Sequence, residues 1–237
     1  MKNISVFLAI PAVLLLQGCA SGDLSLLGES DIGPLPDPVA VMTPGASLPR
    51  VDAPKVKVTV GDQFTFDNPS QTWTVVDDAG DRIVWESASG GRLITHYNIM
   101  LPALIWDTGD EKGRRAIVDV SGALFPLKEG NVISFDAEGQ SDRPPSRWRA
   151  SWMCSVEAKT EIKVKAGTSE TWPIRCRRNN SDMLLFHYAP KMGHYVRYES
   201  KQQGYSSVRQ LTAYARNAAV PRPKRPSAAP KAASSSK

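Results

Sequence analysis

The chain has 237 residues, with 29 Lys and Arg against 24 Asp and Glu, a formal net charge of +5 and 41% apolar residues. That length is enough for one large β domain or two small ones with a proper core. The charge is unevenly placed: with Lys2 and the five bases beyond residue 216 set aside, residues 19–216 carry −1, so a nucleic-acid-binding domain is excluded on electrostatic grounds.

Met1-Lys2-Asn3 is followed by thirteen mostly apolar residues, Ile4 to Leu16, and then by Gln17-Gly18-Cys19. A positive start, an apolar stretch and a small residue before a cut site describe a secretory signal peptide over residues 1–18. Thirteen helical residues reach about 20 Å, short of a bilayer core of roughly 30 Å, so this is not a membrane span.

Leu16-Gln17-Gly18-Cys19 resembles the lipobox of bacterial lipoproteins, in which the thiol takes a diacylglyceryl group, cleavage falls before the cysteine and the new amine is acylated. The resemblance implies that Cys19 is the lipidation site and that the mature chain is held to a membrane by its N-terminal lipid. Ala20, rather than Asp, follows the cysteine; in enteric bacteria this implies sorting to the outer membrane, facing the periplasm. Residues 19–55 then read as a tether. They include Pro34, Pro36, Pro38, Pro44, Pro49 and Pro54 with Gly22, Gly28, Gly33 and Gly45, and such a chain buries too little surface to offset its ordering entropy. At about 3.1 Å per residue it would reach on the order of 100 Å.

With Cys19 lipidated, Cys154 and Cys176 remain, and in an oxidising compartment an even pair reads as a disulfide. The alternative is two reduced, buried thiols. A catalytic thiol would need a base or cationic setting that no neighbouring His supplies in sequence.

From Val56 the apolar pattern has period two: Val56, Val58 and Val60, then Phe64 and Phe66, then Trp73 and Val75. Asp78-Ala79-Gly80-Asp81 and Ser89-Gly90-Gly91 are turn signals, which predict strands near 72–77, 82–87 and 92–97. Later strands are expected over Trp152–Val156, Ile162–Lys165, Thr171–Arg177, Met183–Tyr188, Tyr195–Glu199 and Val208–Ala215. Pairing of the third of these with the first places Cys176 near Cys154. The predicted fold is an all-β antiparallel meander over residues 56–216.

An internal duplication fits this pattern. Gly61–Asp67 recurs as Gly130–Asp136, and Leu93–Tyr97 as Leu184–Tyr188, a match that extends without a gap to Val120 and Leu211. Two copies, 56–121 and 125–216, would form one sandwich or an incompletely closed barrel. Ile99–Trp106 has two readings: a loop entering a buried strand, or an exposed apolar lip around a lipid-binding cavity. Lys163–Thr168 and His187–Gly193 resemble the "aGT" turn and "YaP-x-xG" hairpin of uncharacterised β-rich envelope proteins of Gram-negative bacteria. The resemblance covers residues 150–200, implies a periplasmic β domain and transfers no catalytic residue.

The chain has no Gly-x-Ser-x-Gly elbow, His-Glu-x-x-His pair, phosphate-binding glycine loop or dinucleotide fingerprint. Its three histidines are His96, His187 and His194, and the first two occupy equivalent strand positions in the proposed copies. Asp77, Asp78 and Asp81 cluster at a hairpin turn, where Asp is favoured for backbone hydrogen bonding. The tryptophans at 73, 85, 106, 148, 152 and 172 either fill a core or line a hydrophobic or sugar-binding cleft. Asp142–Ser146 reads as a polar surface loop. No catalytic residue, metal ligand or cofactor is expected.

Residues 217–237 form a disordered tail in which Arg222, Lys224, Arg225, Lys231 and Lys237 have no acidic counterpart. It is either a solvated tail or a contact to anionic envelope polymers or head groups. Lys237 also resembles the C-terminal lysine through which the major murein lipoprotein of enteric bacteria joins peptidoglycan. The expected function is therefore that of a non-enzymatic outer-membrane lipoprotein that organises or assembles the envelope through proteins or the cell wall. The alternatives are a carrier of lipids or other apolar ligands, with residues 101–106 at its mouth, and a peptidoglycan-attached structural lipoprotein.

Overall fold

The computed structural model describes residues 55–202 and 204–218. They form thirteen strands: β1 Gln63–Phe66, β2 Gln71–Asp78, β3 Arg82–Ser87, β4 Arg92–His96, β5 Ile105–Asp107, β6 Lys112–Gly122, β7 Val132–Ser141, β8 Arg147–Val156, β9 Thr160–Val164, β10 Gly167–Arg178, β11 Asp182–Ala189, β12 His194–Gln202 and β13 Tyr205–Ala215. All pairings are antiparallel, and most join strands adjacent in the chain. Alternation dictates this. In β7, Ile133, Phe135 and Ala137 are buried while Ser134, Asp136 and Glu138 face the other way, the period-two pattern of a sheet with one wet face.

The ring is complete. β1 to β8 follow one another, β10 to β13 continue, and β13 returns to pair with β1, Gln63 opposite Ala215 and Phe64 opposite Tyr214. Twelve strands thus close a barrel, and β9 lies outside it. The first part of β10 pairs with β9 through Gly167–Thr171, and its second part joins β8 and β11 through residues 172–178. The strands expected at 72–77, 82–87 and 92–97 are β2, β3 and β4. Of the residues matched in the proposed duplication, Gly61–Asp67 spans β1 and Gly130–Asp136 the start of β7, and His96 and His187 lie on β4 and β11.

The ring is thus neither a sandwich nor an incompletely closed barrel. The period-two pattern at Val56, Val58 and Val60 does not make a strand, although Val58 is buried. The backbone there is spent on a turn: the Asp62 N–H donates to the Thr59 carbonyl at 2.9 Å, and the Thr59 N–H to the Asp62 carboxylate at 3.0 Å. Chain also crosses close to Gly193, where an added Cβ would come within 2.5 Å of the Val56 carbonyl oxygen.

Cys154 and Cys176 are directly opposed on β8 and β10 and joined as a disulfide. Register continues the layer on both sides, Ile133 facing Cys154 and Leu184 facing Cys176, and all four are buried. The bridge is part of the hydrophobic core. The outer wall is different. Arg149 on β8 bonds to Asp119 on β6 at 3.1 Å and to Glu138 on β7 at 3.1 Å, and also to Asp136 on β7. Ionised side chains at mid-strand suit water, since the same position in a lipid-facing barrel costs about 2–4 kcal/mol. Among the described residues no helix is long and apolar enough to cross a membrane.

Candidate functional site: a cavity in the barrel lumen

An eight-stranded barrel is just wide enough for side chains to fill, and diameter grows with strand number. A ring of twelve needs additional filling. Part comes from aromatic side chains: Phe64 stacks on His194 with ring centres 4.3 Å apart and lies 4.8 Å from Tyr214, while Phe186 lies 4.9 Å from Tyr198 and 5.5 Å from Tyr195. Part comes from the connection between β4 and β5, in which Ile99, Met100, Leu101 and Leu104 are all buried. The Leu101 N–H donates to the Asn98 carbonyl and the Met100 N–H to the Asn98 side chain, which tighten the turn that turns these residues inward.

A cavity of about 330 Å³ remains, near the lower end of small-molecule pockets at roughly 300–1,000 Å³. Phe66, Trp73, Trp85 and Leu93 line one side, and Trp152, Phe186 and Tyr195 another, with residues 99–103 between them. Strands from across the ring share it, so it lies in the lumen and not on the outer wall. The Ile99–Trp106 segment therefore combines its two readings: it leads into a strand, β5, and lines an apolar cavity, but it is buried and not an exposed lip. Trp73 and Trp85 likewise belong to both core and cavity. The Trp85 indole N–H donates to the Thr95 hydroxyl at 3.0 Å.

The three histidines do not converge on one site. His194 is buried against Phe64, and its Nδ1–H donates to the Tyr195 carbonyl at 2.9 Å; burial pushes its pKa down to about 4. His96 accepts the Asn98 N–H on Nδ1 at 3.1 Å and is likewise held at about 4 by burial, partly opposed by Asp81. His187 lies at the outer side beside Glu199 at 3.5 Å, its pKa lowered by burial. Among the described residues no group of three His, Cys, Asp or Glu is arranged to hold a metal ion. Asp78 and Asp81 serve the hairpin: Asp78 accepts the Gly80 N–H at 2.8 Å, and Asp81 pairs with Arg82, which lowers its pKa. Asp142–Ser146 is an exposed loop. Cys19 and the tail residues Arg222, Lys224, Arg225, Lys231 and Lys237 lie outside the described residues.

Two features were missed in the sequence. Arg115 is half-buried on β6 with its guanidinium 4.9 Å from both the Trp106 and Trp148 rings, and its Nη1 donates to the Ala103 carbonyl at 3.0 Å. Burial, with nearby Arg178, lowers its pKa to about 10, so it remains cationic at neutral pH. Arg178, above the Trp152 ring, is paired with Asp182. Glycines inside strand patterns were the available signal for the clamp, because they mark close approach: Gly113 faces Trp106 and Gly139 faces Trp148.

These features define a closed β-barrel with a small aromatic cavity in its lumen and ion pairs on the outer wall of β6–β8. No protein-family model and no curated protein matches the chain. Among solved structures, the hypothetical lipoprotein YmcC from Escherichia coli (K12) is 9% identical with a TM-score of 0.46, over 64% of this chain and 83% of that one. A protein named as exported, with a YmcC-like fold, from Bacteroides fragilis NCTC 9343 is 11% identical with a TM-score of 0.36, over 70% of this chain and all of that one.

Proposed function

We propose that the chain is a non-enzymatic lipoprotein of the bacterial outer membrane, anchored at Cys19 and facing the periplasm, whose barrel binds an apolar or amphipathic ligand. The lumen cavity supports the ligand-binding reading: apolar and aromatic walls from opposite sides of one ring enclose space of small-molecule size. Ala103 borders that space, so Ala103→Trp should occupy it from a loop without disturbing the strands. Protein purified from native membranes and extracted with organic solvent should release one class of amphiphile, identified by mass spectrometry, and the Ala103→Trp protein should release much less. Equal amounts from both proteins would overturn the reading.

The second reading, envelope organisation through protein or cell-wall contacts, is supported by Tyr205. This aromatic begins β13 at a hairpin and is 83% exposed, as suits a contact residue. A photo-crosslinker at position 205 should capture a defined envelope protein or a peptidoglycan fragment in cells; no adduct there would remove that support.

A further inference from the structure

Within the cavity wall, two hydrogen-bond donors have no acceptor. The Trp152 indole N–H and Arg209 Nη2 are shut off from solvent and have no partner among the described residues, and both residues line the cavity. Neighbouring donors are occupied: Trp85 bonds to Thr95, His194 to the Tyr195 carbonyl. Arg209 keeps its Nε on the Asp67 carbonyl at 3.3 Å and lies 5.7 Å over the Phe66 ring, but no carboxylate among the described residues forms an ion pair with it. Arg178, beside Trp152, already has Asp182. A partly buried guanidinium without a counter-charge is costly, and so is a buried N–H without an acceptor. An anionic oxygen group supplies an acceptor for such donors, and a charged acceptor on Arg is among the stronger hydrogen bonds available.

The rest of the wall calls for something apolar. Trp73, Trp85 and Ile99–Leu101 offer aromatic and aliphatic surface. A sugar ring would need partners for each hydroxyl, whereas the polar side chains nearby, apart from Arg209 and the indoles, are Gln71, Thr95, Thr108, His194 and Tyr195, of which Thr95 already serves Trp85 and His194 the Tyr195 carbonyl. We propose that the cavity binds an amphiphile with a single terminal anionic group, carboxylate or phosphate, held by Arg209 and Trp152 with its chain along Trp73, Trp85 and Ile99–Leu101; this rests on the ligand-binding reading above.

The test uses bromine as a contact quencher of the cavity tryptophans. The full chain, held in phosphatidylcholine nanodiscs, is titrated with 10-bromodecanoate, 10-bromodecyl phosphate and neutral 10-bromodecanol. At least one acid should quench saturably at about tenfold lower concentration than the alcohol, and the stronger acid identifies the carboxylate or phosphate source. Arg209→Met should bring that acid to the level of the alcohol, Arg209→Lys should retain part of the preference, and Trp152→Phe should weaken the acid but not the alcohol. Thermal melts confirm that each variant folds. Equal quenching by acids and alcohol, unchanged in Arg209→Met, overturns the anionic site and leaves the apolar-ligand reading standing. Absence of quenching by all three probes overturns both. Arg209-dependent binding of an acidic oligosaccharide such as pentagalacturonate, with no response to the bromodecyl probes, overturns the amphiphile in favour of a glycan.

Discussion

Arg115 shows how a single position commits its neighbours. Its guanidinium lies between Trp106 and Trp148, and each indole covers a glycine on the adjoining strand. A Cβ at Gly139 would come within 2.0 Å of the Trp148 ring, and one at Gly113 within 2.2 Å of the Trp106 ring. Neither ring can move aside without abandoning Arg115, so overpacking here has no inexpensive relief. Gly139→Ala should destabilise the fold by about 1–3 kcal/mol, read as a lower urea midpoint with an unchanged slope. His194 sets a different residue-scale expectation. Its folded pKa is about 4, against an ordinary value near 6.5. Between those values the unfolded chain binds the proton and the folded chain does not, so this contribution is complete above pH 6.5 and declines as the pH falls toward 4. Phe64, Phe66, Trp85 and Tyr195 surround the ring. His194→Phe should therefore remove about 1.4 kcal/mol per pH unit from the slope of stability between pH 6 and 4.5. His96, facing Asp81, Lys57 and Arg82, supplies a similar slope that persists in the variant. Asp67, Asp81, Asp107 and Asp136 have lowered pKa values, so their losses come at still lower pH. An unchanged slope in the variant would show that His194 is protonated in the fold.

At the scale of elements, the disulfide joins two neighbouring ring strands across a separation of 22 residues that includes β9. Constraining that excursion in the unfolded chain is worth about 3 kcal/mol on the chain-entropy model. Cys154→Ala with Cys176→Ala should lose about that much, plus a core defect beside Ile133 and Leu184, as measured by urea denaturation; reductant should have no further effect on the double variant. The strands themselves were legible because each has a wet face, so that apolar residues alternate and turn residues punctuate them. Register across Cys154 and Cys176 followed from one hairpin-like return. Closure was not legible in the same way. The pairing of β1 with β13 joins residues about 150 apart, and no local pattern announces it. Val56–Val60 shows the opposite failure: its alternation is genuine, yet Asp62 directs the backbone into a turn. The cavity needed side chains from eight ring strands and two connections, a convergence that only the closed ring creates. Trp73, Trp85 and residues 99–103 carried its apolar character in sequence, but not their mutual position.

At the scale of the molecule, the twelve-stranded ring separates two kinds of surface. Its lumen takes the aromatic residues and the cavity, while its outer wall at β7 and β8 carries ion pairs. Such a wall is unsuited to a bilayer core at these strands, so the proposed membrane attachment would come from a lipid on Cys19 or from the bases of the tail. These make opposite predictions in salt. Several acyl chains on one residue hold by buried methylenes, each about 0.8 kcal/mol, and ignore ionic strength. Five bases act through charge, and at about 1 M salt the screening length falls to about 3 Å. Replacing residues 1–19 with a leader cleaved directly before Ala20 removes the lipid site without leaving an uncleaved apolar segment. The resulting protein should reach the periplasm with its disulfide formed, and it should leave the membrane fraction in a wash of about 1 M salt, whereas the native protein should stay with the outer membrane. If the leader-swapped protein resists that wash as the native one does, lipid on Cys19 is not what holds the barrel in place.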